Sequence, residues 1–344
     1  MDRWNIFSNG VYCNEYERDI LETLKECEEY RMTVHFVSPQ LNHRPATVRL
    51  IEKVCEQQFY RRATLHLAVY LLDVFMCNHT IPERRLSLVA LTCLYVACKI
   101  EENDPNVPSL IKLNGLLANA YTTADFIAME VTILTFFDWH ITIPTASTFL
   151  DIFSLNSFTQ EDYNDMPKDL ETEQTSVQQF ERAIRETSDM ILKHSLQHLK
   201  LCNVKPSLLA ASCVAAGRFY VKNLPVWNDR LVSVTGYKYY QINAICQLLL
   251  FEAFPPSTSF PVLIPMRLPS NSDAGYLSEW FETDDEDNVC SSDQSSTTIS
   301  EDSDNDTSSC VYGDSSTTDS ANDTGEPSAK KRKIVSADWS SDRE

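Results

Sequence analysis

Apolar residues recur at i, i+3, i+4 and i+7 along the chain up to about residue 265, and few stretches alternate apolar with polar, so the pattern predicts helices and an all-α fold. A first amphipathic helix is expected over 14–31, where Ile20, Leu21, Leu24 and Cys27 fall among Glu and Lys, and the region around Pro39 breaks it. A second, over 46–59, gathers Val48, Ile51, Val54 and Cys55 on one side. The third, TLHLAVYLLDVFM over 64–76, is apolar nearly all round, which marks a central helix. A fourth, LSLVALTCLYVACK over 86–99, is rich in small side chains that permit close approach, and Pro105 and Pro108 follow it. The fifth, DFIAMEVTILTFFDW, covers 125–139.

The pattern then repeats. SLVALTC, starting at Ser87, returns 120 residues later as SLLAASC, starting at Ser207, and both open a small-residue helix. The expected organisation is an N-terminal segment (1–43) with a packing helix, a first five-helix bundle (44–143), and a second (144–254) carrying a polar insert at 157–178 that reads as an exposed linker. A disordered, acidic, Ser-rich tail (255–344) follows. Residues 270–344 hold 19 acidic side chains against five basic, net −14 of the chain's −20.

That balance excludes a broad phosphate-binding face on the folded part, because non-specific nucleic-acid affinity comes largely from Lys and Arg. No nucleic acid and no membrane is expected as a partner, since the longest apolar runs carry Asp73 or Lys99 and fall short of about 18 residues. The start, MDRWNIFSNG, lacks a charged-then-apolar signal pattern. Eleven cysteines, no two in a C-x-x-C pair, predict a reduced compartment. His194 and His198 have the i, i+4 spacing of a metal pair, but no third ligand stands nearby, so no metal or other cofactor is expected. No Gly-rich phosphate loop, G-x-S-x-G elbow or H-E-x-x-H is present, so the chain reads as a non-enzyme.

TLHLAVYLLD, ACKIEE (97–102) and MEVTILTFFDW (129–139), in this order and spacing, resemble the cyclin box. KPSLLAASCVAAGRFY, followed by Trp227 and Thr235-Gly236-Tyr237, resembles the C-terminal cyclin repeat, so the resemblance covers roughly 12–253. Within the family SPQL (38–41), HLAVYLLDVFM, LVALTCL, PTAS (144–147) and LPVWNDRL look most like the J type. The resemblance implies two tandem cyclin folds and a non-catalytic subunit that binds and activates a cyclin-dependent serine/threonine kinase in the cell cycle. Lys99 and Glu130 match the pair that hydrogen-bonds the kinase's regulatory helix, with Ile100, Leu134 and Phe137 as apolar neighbours. Arg44 and Asp73 match the family's buried ion pair.

One segment departs from the family. The substrate-docking patch of many cyclins is apolar, whereas here His43-Arg-Pro-Ala-Thr47 and Leu50 occupy it, so docking through that surface is not implied. Lys330, Lys331, Arg332 and Lys333 resemble a nuclear import signal, which implies a nuclear chain with a cytoplasmic pool. The alternative is a tandem cyclin-fold scaffold in transcription. It needs a basic DNA-facing surface, and residues 1–269 have 30 acidic against 24 basic side chains.

Overall fold

A computed structural model of the chain describes residues 16–35, 38–167, 176–221 and 224–253. The tail with its expected disorder and the run Lys330–Lys333 lie outside the described residues, as does 168–175 of the polar insert. Among the described residues the regular elements are helices and no strand occurs.

Helix α1 (Glu17–Glu28) leads into two bundles. The first comprises α2 (Arg44–Gln58), α3 (Arg62–Asn78), α4 (Glu83–Glu101), α5 (Leu110–Leu116) and α6 (Thr123–Phe136). Every residue of α3 from Thr64 to Met76 is buried, as the all-round apolar pattern requires of a central helix. It lies along α4, where Val89, Ala90, Cys93 and Ala97 are fully buried and small enough to let the two backbones approach. Thr64 and Thr92 are buried polar residues, and each finds a partner: Thr64 donates to Glu102 Oε1 at 2.7 Å and Thr92 to the Leu88 carbonyl at 2.7 Å. A capping box starts α6, with Asp125 N–H donating to Thr122 Oγ1 at 3.2 Å and Thr122 N–H donating to Asp125 Oδ2 at 2.7 Å. Helix α5, seven residues long, is absent from the periodicity because two turns are too short to show a period.

The second bundle comprises α7 (Ala146–Phe153), α8 (Gln160–Asp165), α9 (Val177–Ser195), α10 (Pro206–Phe219), α11 (Asp229–Thr235) and α12 (Tyr239–Leu248). Its central helix is α10, in which every residue but Leu208 is buried. The two copies of the short repeat thus fall on α4 and α10, the small-residue helices of the two cores. Helix α1 belongs with this second core. Leu21 packs into it, Glu28 accepts from the Ser207 N–H at 2.9 Å and its hydroxyl at 2.6 Å, and Lys25 donates to the Thr235 carbonyl at 2.6 Å.

The close approach of α9 and α10 depends on Gly217. A Cβ there would meet Ser188 Oγ and stand 3.0 Å from the Ile184 carbonyl oxygen, and neither backbone can give way freely. Gly217→Ala is expected to destabilise the chain by about 1–3 kcal/mol through overpacking, read as a lowered urea midpoint. An unchanged midpoint would show that the two helices separate at no cost.

The insert read as an exposed linker is not one. Ser157, Phe158, Asp162 and Met166 are buried: Phe158 stacks on Phe180 of α9 with ring centroids 5.2 Å apart, and Met166 joins the same small core. Asp162 caps α8 by accepting from the Thr159 N–H at 3.0 Å, and also receives two nitrogens of Arg218, from α10, at 3.0 and 3.1 Å. A buried charge pair offsets the polar composition that predicted exposure.

Polar contacts join the bundles. Arg62, which begins α3, donates to Ser147 Oγ at 3.0 Å and forms ion pairs with Asp151 of α7 and Asp189 of α9. Gln197 donates to Glu52 at 2.8 Å, Lys193 pairs with Glu56, and Asn203 exchanges two hydrogen bonds with the Val34 backbone at 2.8 and 2.9 Å.

Candidate partner-binding surface

Lys99 stands in the last turn of α4 and Glu130 on α6, and the packing of these two helices brings Lys99 Nζ to 2.5 Å from Glu130 Oε1. The Lys99 ammonium also sits over the Tyr95 ring, 4.3 Å from its centroid. Burial would lower the Lys99 pKa, but the bond to Glu130 and its charge outweigh that and hold it above the ordinary value. The pair is open to solvent on the lysine side, so it contributes little to stability, roughly 0–1 kcal/mol. Glu102, one residue past α4, fixes the helix end by accepting from the Arg61 N–H at 2.6 Å and the Thr64 hydroxyl.

Around this pair the apolar residues divide. Leu134 and Phe137 are only 8% and 4% exposed and belong to the first core, so they support the face from beneath and do not line it. The reason is helical register: α6 turns both toward α3 and α4, where Phe137 meets Tyr70 with centroids 6.4 Å apart. Ile100 is 39% exposed, and sequence reasoning missed two further exposed residues, Ile127 at 50% and Val131 at 51%. Ile127, Glu130 and Val131 are spaced i, i+3, i+4 and share one side of α6. The signal was present in the spacing, but in a helix apolar nearly all round nothing in the pattern says which side faces out. The face therefore combines a charge pair with apolar side chains that no other part of the described chain covers, the make-up of a protein-binding surface.

The other charge pair lies against the second bundle. Arg44, the first residue of α2, donates from Nε to Asp73 Oδ1 at 2.7 Å and from a terminal nitrogen to Oδ2 at 2.9 Å, a two-pronged geometry with both side chains buried. Cys202, from the second bundle, completes the cluster, with its sulfur 3.4 Å from Arg44 and 3.5 Å from Asp73. In the neighbouring segment, Thr47 is buried and donates to the Arg44 carbonyl at 2.9 Å, Leu50 is half-buried against the first core, and His43 lies 3.7 Å from Glu83.

Residues 14–142 match the family profile described as cyclin, N-terminal domain, and residues 144–259 match that described as cyclin, C-terminal domain. The chain belongs to the cyclin family. Among cyclins it is similar to cyclin-J of Xenopus laevis, 34% identical over 224 residues, which is 64% of this chain and 57% of that protein. To cyclin-J of Homo sapiens it is 33% identical over 219 residues, 62% of this chain and 55% of that protein. Cyclin-B1-3 of Arabidopsis thaliana is 32% identical over 188 residues, 55% of this chain and 40% of that protein. The chain thus spans between 40% and 57% of the length of these three cyclins. Among solved structures, a viral cyclin from herpesvirus saimiri shares the fold with a TM-score of 0.52 at 19% identity, covering 68% of this chain and 98% of that one.

Proposed function

We propose that this cyclin is the non-catalytic regulatory subunit of a cyclin-dependent serine/threonine kinase and acts in the cell cycle, in the manner of the J-type cyclins it is similar to. The observation that carries the reading is the Lys99–Glu130 pair with the exposed Ile100, Ile127 and Val131 next to it on the same two helices, within a chain whose family is a kinase-regulating one. In the free chain the two charges satisfy each other; on binding, each exchanges its partner for backbone groups of the kinase's regulatory helix, while Ile100, Ile127 and Val131 lose their contact with water. A kinase helix held inward on this face can present its glutamate to the lysine that aligns the ATP phosphates, so the cyclin shifts an equilibrium while catalysis stays in the partner. The run Lys330–Lys333 supports a nuclear location with a cytoplasmic pool.

The test is the double substitution Lys99→Ala with Glu130→Ala. Because the pair is worth little to the fold, helical content and thermal midpoint should stay within a degree or two of the wild type, while recovery of kinase by affinity capture falls by more than about tenfold, as loss of charge-assisted contacts predicts. Undiminished capture and activation of a kinase by the double variant would overturn the assignment.

A further inference from the structure

Where the two bundles and the segment after α1 meet, a cavity of about 60 Å³ is lined by Arg31, Arg44, His66, Tyr70, Asp73 and Cys202, among others. His66 projects from the central helix α3, is only 5% exposed, and its Nε2 has no hydrogen-bond partner among the described residues. Arg31 is anchored on one side: its guanidinium lies 3.9 Å from the Tyr70 ring centroid and donates one hydrogen bond to the Pro144 carbonyl at 3.0 Å. Among the described residues no carboxylate forms an ion pair with it. The lining thus holds two guanidinium groups and a single carboxylate, Asp73, whose two oxygens are already engaged by Arg44.

An orphaned buried nitrogen and a half-buried guanidinium with no ion-pair partner each cost free energy unless a ligand answers them, and the nearby Glu28 and Asp73 charges offset only part of the second. The answering group must accept hydrogen bonds, carry negative charge and be compact. A water molecule needs about 10–15 Å³ of such space, so this volume accommodates roughly four oxygen-sized spheres, the size of one tetrahedral oxyanion. We propose that the cavity is a binding site for a single phosphate-class oxyanion, held by Arg31 and His66 at the joint between the bundles. Burial and the nearby Arg62 and Arg31 charges push His66 down to about 3, so in the free chain the imidazole is neutral and can meet the anion as a donor from Nε2 without a charge of its own. The ligand would contact the segment after α1, helix α3 and the second bundle together, and so would tie the parts of the fold to one another.

The test uses the full chain and inorganic phosphate. Phosphorus NMR should show the free phosphate signal broadening on addition of protein, and the thermal midpoint should rise with the logarithm of phosphate concentration above that seen with chloride at equal ionic strength. Arg31→Gln and His66→Phe should each weaken binding by about 10- to 100-fold. The nitrogen signal of the His66 ring should move on titration, which locates the ion even where a variant folds poorly. O-phosphoserine as competitor separates the sources: displacement means the site takes a phosphorylated side chain, and no displacement means it takes the free ion. No broadening in the wild-type chain, or equal binding by wild type and both variants with an unmoved His66 signal, would overturn the proposal.

Discussion

Arg218→Ala is expected to unfold the second bundle at physiological temperature. Arg218 is 0% exposed and Asp162 only 6%, and the guanidinium also donates to the Ser157 carbonyl at 2.6 Å and to the Pro225 carbonyl at 3.0 Å. Truncation removes all four bonds together and leaves a buried carboxylate with Asn228 and Thr159 as its remaining donors. Breaking a buried pair by deleting one partner costs roughly 3–5 kcal/mol, against a total stability of about 5–15 kcal/mol for an ordinary domain. Loss of the near-ultraviolet signal of the second bundle, or a thermal midpoint lower by ten degrees or more, would be the readout; a midpoint within two degrees of wild type would show that water reaches the site. The pair also sets an acid limit. Burial raises the Asp162 pKa, but the hydrogen bonds and charge of Arg218 outweigh it and leave the carboxyl below its ordinary value. A depressed folded pKa means that the contribution is whole above about pH 4 and is lost as pH falls through the lowered value. Acid titration of the wild type should therefore show a loss of stability below pH 4 that Asp162→Asn, already weakened, lacks.

The second large effect is at Arg44. Its pair with Asp73 lies within the first core, between the start of α2 and the middle of α3, so Arg44→Ala strands a buried carboxylate beside the Cys202 sulfur. The expected cost is again roughly 3–5 kcal/mol, measured by chemical denaturation. A paired change, Arg44→Met with Asp73→Leu, removes both charges and keeps the volume, and should recover most of the loss because a well-packed apolar replacement of a buried pair is close to neutral. If the single variant melts like the wild type, or the double variant is no better than the single, the pair does not hold the bundle. Lys99 and Glu130 should lose their mutual placement along with the first bundle when Arg44 is removed, whereas Arg218→Ala should leave the first core intact.

How much of this could be read from the residues depends on what each signal reports. The all-round apolar run over 64–76 leaves a helix no choice but the centre, and α3 is there. The repeat from Ser87 and Ser207 marks two helices whose small residues let neighbours approach, and α4 and α10 carry it. The insert went wrong at Asp162, since a carboxylate that caps a helix and binds a buried arginine is identical in composition to a solvated one. Its partner lies 56 residues away on α10, and no local pattern links the two. The candidate face failed in the same way at Leu134 and Phe137. Their types and spacing fit a contact surface, but only the packing of α6 on α3 and α4 decides that they turn inward and Ile127 and Val131 outward.

The composition of the seam has a consequence for how the chain comes apart. Each bundle buries its own apolar core, and they are joined by Arg62 with its two carboxylates, Gln197 with Glu52, Lys193 with Glu56 and Asn203 with the Val34 backbone, together with Leu196 and Cys202, which pack on the first core. The Lys193–Glu56 pair is exposed and weakens as salt rises, whereas the Arg62 side chain is largely buried and its pairs are screened much less. Raised salt is accordingly expected to loosen the exposed part of the seam before either core opens.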